Sequence, residues 1–264
     1  MKNATLLTFL VASFVVVPAQ AAKAEEAGKF SVETGVDYNT GRYGGSRPTS
    51  ILYIPVTGKY QEKSWTMRLT VPYLQVTGPA SMINVLNGVN LAAGAYTNNP
   101  VTRSGLGDVV MAVTHNTYYD SSTGFMFNLS GKIKFGTASR AKGLGTGEND
   151  KAVQSELYLV SEKQTTFGTL GYKMYESPAG AGYKLINGYY GSLGSSYKFD
   201  SEVNGGAMLS LSQKITATGS AHTEAILFAS YKLDKKWKAR GYVLKGLTKS
   251  VPDWGFGATI AQNL

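Results

Sequence analysis

The groups that could do chemistry in this 264-residue chain are two histidines, a few aspartates near glycines, and charged side chains recurring at every second position. His115 and Thr117 are two apart, so on a strand they share a face. A histidine beside a hydroxyl is the minimum for activating a nucleophile against a lipid ester. His222 is followed by Thr223 and Glu224. Threonine is a poorer match than serine, and no nucleophile-elbow sequence surrounds either histidine; a histidine packed among interfacial aromatics is the simpler account of His115. Gly143-Leu144-Gly145-Thr146-Gly147 lacks the Lys-Ser/Thr pair of a phosphate loop. Asp108 and Asp150 stand at strand entrances, where calcium binding or, more simply, turn-stabilising contacts would use them. No enzymatic activity, cofactor or resident metal is expected.

The alternating charges suit a different task. Arg68, Lys132, Lys134, Glu156, Lys173 and Glu33 each fall in the polar row of a strand-like segment, and are the candidates for lining a lumen and selecting what passes. With Asp37, Lys59, Asp108, Asp150, Glu202, Glu224, Lys232, Lys238 and Arg240 they make eight bases and seven acids, so no strong preference for either ion sign is expected. Such a set either fills a wall with hydrated or salt-bridged residues or borders a narrow polar passage.

The elements that position them are strands of about ten residues. In 29–39, Phe30, Val32, Thr34, Val36 and Tyr38 alternate with Ser31, Glu33, Gly35, Asp37 and Asn39. In 125–135, Phe125, Phe127, Leu129, Ile133 and Phe135 alternate with Met126, Asn128, Ser130, Lys132 and Lys134. A Lys or Arg at the bilayer midplane of a barrel costs about 2–4 kcal/mol, so Arg68, Lys132 and Lys134 must point inward. Connections alternate between long (41–48, 77–104, 137–149, 176–184, 214–222, 246–253) and short polar turns, the asymmetry of an outer-membrane barrel. The expected fold is an all-β antiparallel transmembrane barrel of about twelve strands. Pro55 and Pro72 lack a ladder donor and mark bulges or strand ends; residues 51–57 are apolar on both faces.

The ends read as an address and a closure. Lys2, the apolar run Leu6–Val17 and Ala19-Gln20-Ala21 form a signal peptide over 1–21. A short segment, 22–28, then precedes the barrel at 29–264. The chain is thus expected to cross the periplasm to a Gram-negative outer membrane. Trp254, Phe256, Ala258, Ile260, Gln262 and Leu264 alternate to the last residue, as suits a strand that closes on the first and engages the barrel-assembly machinery. With no cysteine, disulfides and thiolate sites are excluded. The net charge is +9, or +8 once Lys2 leaves. Arg42, Arg47, Arg103, Arg140 and Lys142 concentrate part of it on the long loops, where it would either be solvated or attract lipopolysaccharide phosphates. Nucleic acid is a poor partner, because these cations are scattered over many loops.

The stretch 77–104 is apolar. Met82, Ile83, Val85, Leu86 and Val89 are the candidates for a constriction folded over or into the mouth, with Met82, Val85, Leu86 and Val89 at helical spacing after Ser81. A strand extension with an ordinary turn is the alternative.

Three segments carry a family resemblance: Gly105-Leu106-Gly107-Asp108, Gly143-Leu144-Gly145-Thr146-Gly147-Glu148-Asn149-Asp150 and Pro252-Asp253-Trp254-Gly255-Phe256-Gly257. Together they resemble the outer-membrane transporter family named after the meta-pathway of phenol degradation. The resemblance implies a small barrel giving passive passage to small, hydrophobic or aromatic solutes. A structural or adhesive barrel with a closed lumen is the alternative. Barrels of this kind commonly end in Phe; Leu264 departs from that pattern and implies weaker recognition by the assembly machinery.

Overall fold

The computed structural model describes residues 28–79, 99–179, 184–217 and 219–264. The expected signal peptide, and Met82, Ile83, Val85, Leu86 and Val89, lie outside the described residues. The strands are β1 (Lys29–Gly41), β2 (Thr49–Glu62), β3 (Trp65–Pro79), β4 (Pro100–Leu106), β5 (Val109–Asp120), β6 (Phe125–Phe135), β7 (Asp150–Val160), β8 (Gln164–Met174), β9 (Gly188–Lys198), β10 (Val203–Ser212), β11 (His222–Lys232), β12 (Trp237–Gly246) and β13 (Trp254–Asn263). All pairings are antiparallel, and β13 pairs with β1 from Ser31↔Asn263 to Thr40↔Trp254, which closes the sheet. β4 and β5 both pair with β3, along Tyr73–Pro79 and Trp65–Thr70 respectively. They are two halves of one wall strand, so the thirteen segments make a twelve-stranded barrel.

Proline explains the split. Pro72 offers no N–H, and opposite it the partner strand bulges over Gly107 and Asp108, where Gly107 N donates to Pro72 O at 2.9 Å. Pro55 faces Pro72 directly across β2–β3. The long connection is shorter than its sequence suggests, because 77–79 and 100–104 continue the β3–β4 ladder beyond the bulge.

The two rows of each strand face as cost demands. Leu227 is 62 % exposed on the outside while its neighbour Ile226 is 6 % exposed within. Outward rows such as Met67, Leu69 and Val71, or Leu157 and Leu159, present apolar side chains around the circumference, which only acyl chains would accept. The short turns are pinned by aspartates: Asp200 accepts from the backbone N–H groups of Glu202 and Val203, both at 2.7 Å, and Asp234 from those of Lys236 and Trp237 at 2.6 and 2.7 Å. The bonds from Val203 and then Glu202 hold the Asp200 carboxyl below the ordinary carboxylate range. At the turn after β5, Gly124 has φ +71°, and a Cβ there would lie 1.8 Å from Val160 O.

His115 belongs to this turn-side rim. Its ring packs on Trp65 at 4.5 Å between centroids, Nδ1 is 3.2 Å from Thr117 Oγ1, and Nε2 is 3.2 Å from Ser64 Oγ. No carboxylate joins this group in the hydrogen bonds of the described residues.

Placing lysine at Leu227, midway along β11, should cost about 2–4 kcal/mol of stability, against about 1 kcal/mol or less at Leu233 beside the turn. Urea unfolding in lipid vesicles, followed by tryptophan fluorescence, measures both; equal losses would contradict the membrane placement.

Candidate functional site

Hydrogen-bonded ladders run across strands, and barrel strands tilt, so residues linked across a ladder climb the wall as a spiral. One inward row reads Lys59↔Arg68↔Ala112↔Lys132↔Ala152↔Lys173, from β2 to β8. Lys59 is three residues from the turn end of β2, whereas Lys173 is one residue from the loop end of β8, so this row carries cations up the lumen. A second inward row reads Met126↔Tyr158↔Phe167↔Gly194↔Met208↔Ile226↔Leu244, from β6 to β12. It starts beside the turn end of β6 and reaches two residues from the loop end of β12. Gly194 leaves room within it, since a Cβ there would lie 2.6 Å from Phe167 Cζ.

At a given height the two spirals face one another. Arg68 and Phe167 each sit three residues above the turn end of their strands, on staves four steps apart around the ring. Arg68 interacts electrostatically with Glu156 and Tyr158 on β7, three staves away, and with Glu33 on β1 and Arg240 on β12. Both rows border a cavity of about 530 Å³.

The charges divide by partnership. Arg240 Nη1 lies 3.1 Å from Glu33 Oε2. Glu156 is held by neutral donors: Ser130 Oγ at 3.1 Å, Tyr158 Oη at 3.0 Å, and Gln154, which itself accepts from Tyr190 Oη at 2.7 Å. Asp37 accepts from Tyr242 Oη. Among the described residues, Lys59, Arg68, Lys132 and Lys238 have no carboxylate within ion-pair distance. The near balance of the inventory therefore hides an excess of unpaired cations around Arg68.

Lys134 differs. Its ammonium lies 2.9 Å from Asp108 Oδ2 and 3.4 Å from Asp150 Oδ2, and donates to Glu148 O at 3.0 Å. Asp108 also accepts from Ala138 N at 2.9 Å. An ammonium thus occupies the place between the two aspartates for which calcium or turn contacts were the expectation. This node ties the connection 136–149 into the loop-side mouth, where Leu144 packs with Tyr43, Ile51, Leu74, Val76 and Ala138. The apolar inner face of 51–57 is thereby explained: Ile51 and Tyr53 meet this cluster. Tyr43 is held at φ +46° with its hydroxyl buried and unpartnered. Burial first, and then the Glu224 and Asp253 charges, push that hydroxyl well above the ordinary phenol range.

Of the six lumen candidates, Glu33, Arg68, Lys132, Lys134, Glu156 and Lys173 all border the cavity. Lys173 also lies 4.7 Å from the ring centroid of Tyr175. Glu202 and Lys232, placed on inward rows by alternation, are exposed at the turn rim and do not border it; Glu202 accepts from Tyr231 Oη at 3.3 Å. His222 and Glu224 are buried in the wall near the loop side. Sequence reading passed over the apolar inward residues Tyr158, Phe167, Met208, Ile226 and Leu244. The signal available was that Ile226 and Phe228 share a row with Glu224 and Ser230, so apolar residues stand on the polar face.

No protein-family model matches the sequence, and no curated protein does. The fold is similar to that of an outer membrane channel from Pseudomonas putida F1, with TM-score 0.72 and 10 % identity over 94 % of this chain and 100 % of that one. It is also similar to the NanC porin (TM-score 0.55, 8 % identity, 88 % of this chain and 100 % of that) and the KdgM porin (0.52, 11 %, 89 % and 99 %). At these identities the likeness is one of fold: a closed antiparallel barrel.

Replacing Lys134 by Met leaves Asp108 and Asp150 facing each other without a cation. Stability should fall by about 3 kcal/mol, the loss typical of removing one partner from a largely buried ion pair. Trypsin should then cut at Arg140 or Lys142 faster than in the unaltered protein, and an unchanged cleavage rate would deny the node its anchoring role.

Proposed function

We propose that the protein is an outer-membrane channel, exported through the periplasm, that lets small solutes pass down a narrow lumen without energy input. The observation carrying this reading is a closed barrel with an apolar exterior and a charge-lined cavity of about 530 Å³. Twelve strands fall between eight-stranded barrels, which side chains fill, and ~16-stranded porins, which hold an aqueous channel. A constricted bore is the natural outcome. Lys59, Arg68, Lys132 and Lys238, lacking carboxylate partners, favour anions over cations at the narrow level. The glycine-rich motifs at 105–108, 143–150 and 252–257 support kinship with the transporter family of the phenol meta-pathway, and hence hydrophobic or aromatic solutes. Met82, Ile83, Val85, Leu86 and Val89 stand as a proposed second constriction. Arg42, Arg47 and Arg140 are the proposed contacts to lipopolysaccharide, and the closing strand to Leu264 the proposed signal to the assembly machinery.

One observation favours a second reading, a structural or adhesive barrel with a shut lumen. The Tyr43–Leu144 cluster plugs part of the mouth from inside, with both side chains almost wholly buried.

Planar-bilayer recording separates the two. Discrete current steps are expected, with a reversal potential in a KCl gradient that reports anion preference. Arg68→Glu should reduce that preference or invert it. A folded protein that never conducts would instead establish the shut barrel.

A further inference from the structure

Opposed cationic and apolar walls are more than a pore of one polarity needs. We propose that the lumen holds a saturable binding site for small amphipathic carboxylates, an aryl carboxylate being the simplest member. This rests on the channel reading and names its solute. The carboxylate would sit on Arg68, with Lys59 beside it and Lys132 above it on the same ladder row. Its hydrocarbon part would lie across the lumen on Phe167, Tyr158 and Met208.

Four features converge on this ligand class. Among the described residues no carboxylate lies within ion-pair distance of Lys59, Arg68 or Lys132, and Glu156 and Glu33 act on Arg68 only at longer range, so an incoming carboxylate gains charge-assisted hydrogen bonds without first breaking a contact ion pair. Ala112 and Ala152 alternate with the cations along their row, which leaves space between the charged heads. The facing wall is packed from side chains with little to offer a free inorganic ion: Met126, Tyr158, Phe167, Met208, Ile226 and Leu244 form one continuous buried cluster inside the barrel. The hydroxyl of Tyr158 is turned to Glu156, so its ring, rather than its polar tip, remains for an apolar partner. A purely apolar solute would leave the cations dehydrated and unpaired, and a purely ionic one would leave the apolar wall uncovered. A molecule with one negative end and one apolar body satisfies both. Because both rows climb from the turn side to the loop side, such a molecule can shift from Arg68 to Lys132 to Lys173 while its apolar body keeps contact with the other spiral.

The test uses the refolded full-length chain in planar bilayers with three probes: benzoate, acetate (the charge without the ring) and benzyl alcohol (the ring without the charge). Benzoate should reduce KCl current saturably, at concentrations about tenfold below those of either other probe. Arg68→Gln should raise the half-blocking benzoate concentration about tenfold. Phe167→Ala should weaken block by benzoate and leave block by acetate alone. Folding of each variant is checked by heat-modifiable gel migration, with Lys132→Gln in place of Arg68→Gln should the latter not fold. Equal potency of the three probes, or full benzoate block in a folded Arg68→Gln channel, overturns the proposal. If the bilayers stay silent, the channel reading fails by itself. Calorimetric titration of benzoate into the detergent-solubilised protein then decides the site: saturable heat lost in the variant supports it, and dilution heat alone sinks it.

Discussion

Everything in this molecule depends on one constraint, that a backbone N–H or C=O exposed to hydrocarbon costs several kcal/mol. A sheet in lipid must therefore have no edge. The ladder from Ser31↔Asn263 to Thr40↔Trp254 meets that demand by joining the first strand to the last. Where the ladder lapses between β3 and its interrupted partner, a proline already lacks its donor, and Gly107 N bonds Pro72 O to bridge the gap. Once closed, the cylinder sorts side chains by alternation alone, apolar rows outward and the rest inward.

Closure has a second consequence for the lumen. Since tilted strands carry each ladder row up the wall, chemistry placed on one row becomes a spiral running the length of the barrel. Cations on the Lys59–Lys173 row and apolar groups on the Met126–Leu244 row thus occupy different parts of the ring at successive heights, each wall being assembled from six or seven strands that follow one another along the chain. The inner surface is two-sided by construction, and neither side occupies a single stave.

The architecture was largely legible in the chain. Period-2 alternation in 29–39 and 125–135, and the cost of placing Lys132 or Arg68 in hydrocarbon, sufficed for strand type, facing and closure. Local pattern could not show register, and register is what aligned the cations, set Phe167 level with Arg68 and brought Asp108 to Lys134. Alternation also misjudged the ends: Glu202 and Lys232 keep the inward phase, yet lie past the cavity at the turn rim. The inner apolar side chains were overlooked because an inward row is expected to be polar. Ile226 beside Glu224 contradicted that expectation in the sequence itself.

Lys132 and Lys134 make the distinction between support and function concrete. They are two residues apart, on one strand and one face, and nothing local separates them. Lys134 meets two carboxylates and a carbonyl, so its charge is neutralised where it anchors a connection. Lys132 meets no carboxylate within ion-pair distance and borders the cavity between two alanines of its row. A wall that needed only filling would be more stable with paired or apolar residues there, because a dehydrated cation without a partner costs free energy. The unpaired cations instead leave their electrostatic capacity directed at the lumen. On the proposed reading, an anion in the cavity would complete the pairing that the wall leaves open, and the apolar spiral would restrict which anions can do so.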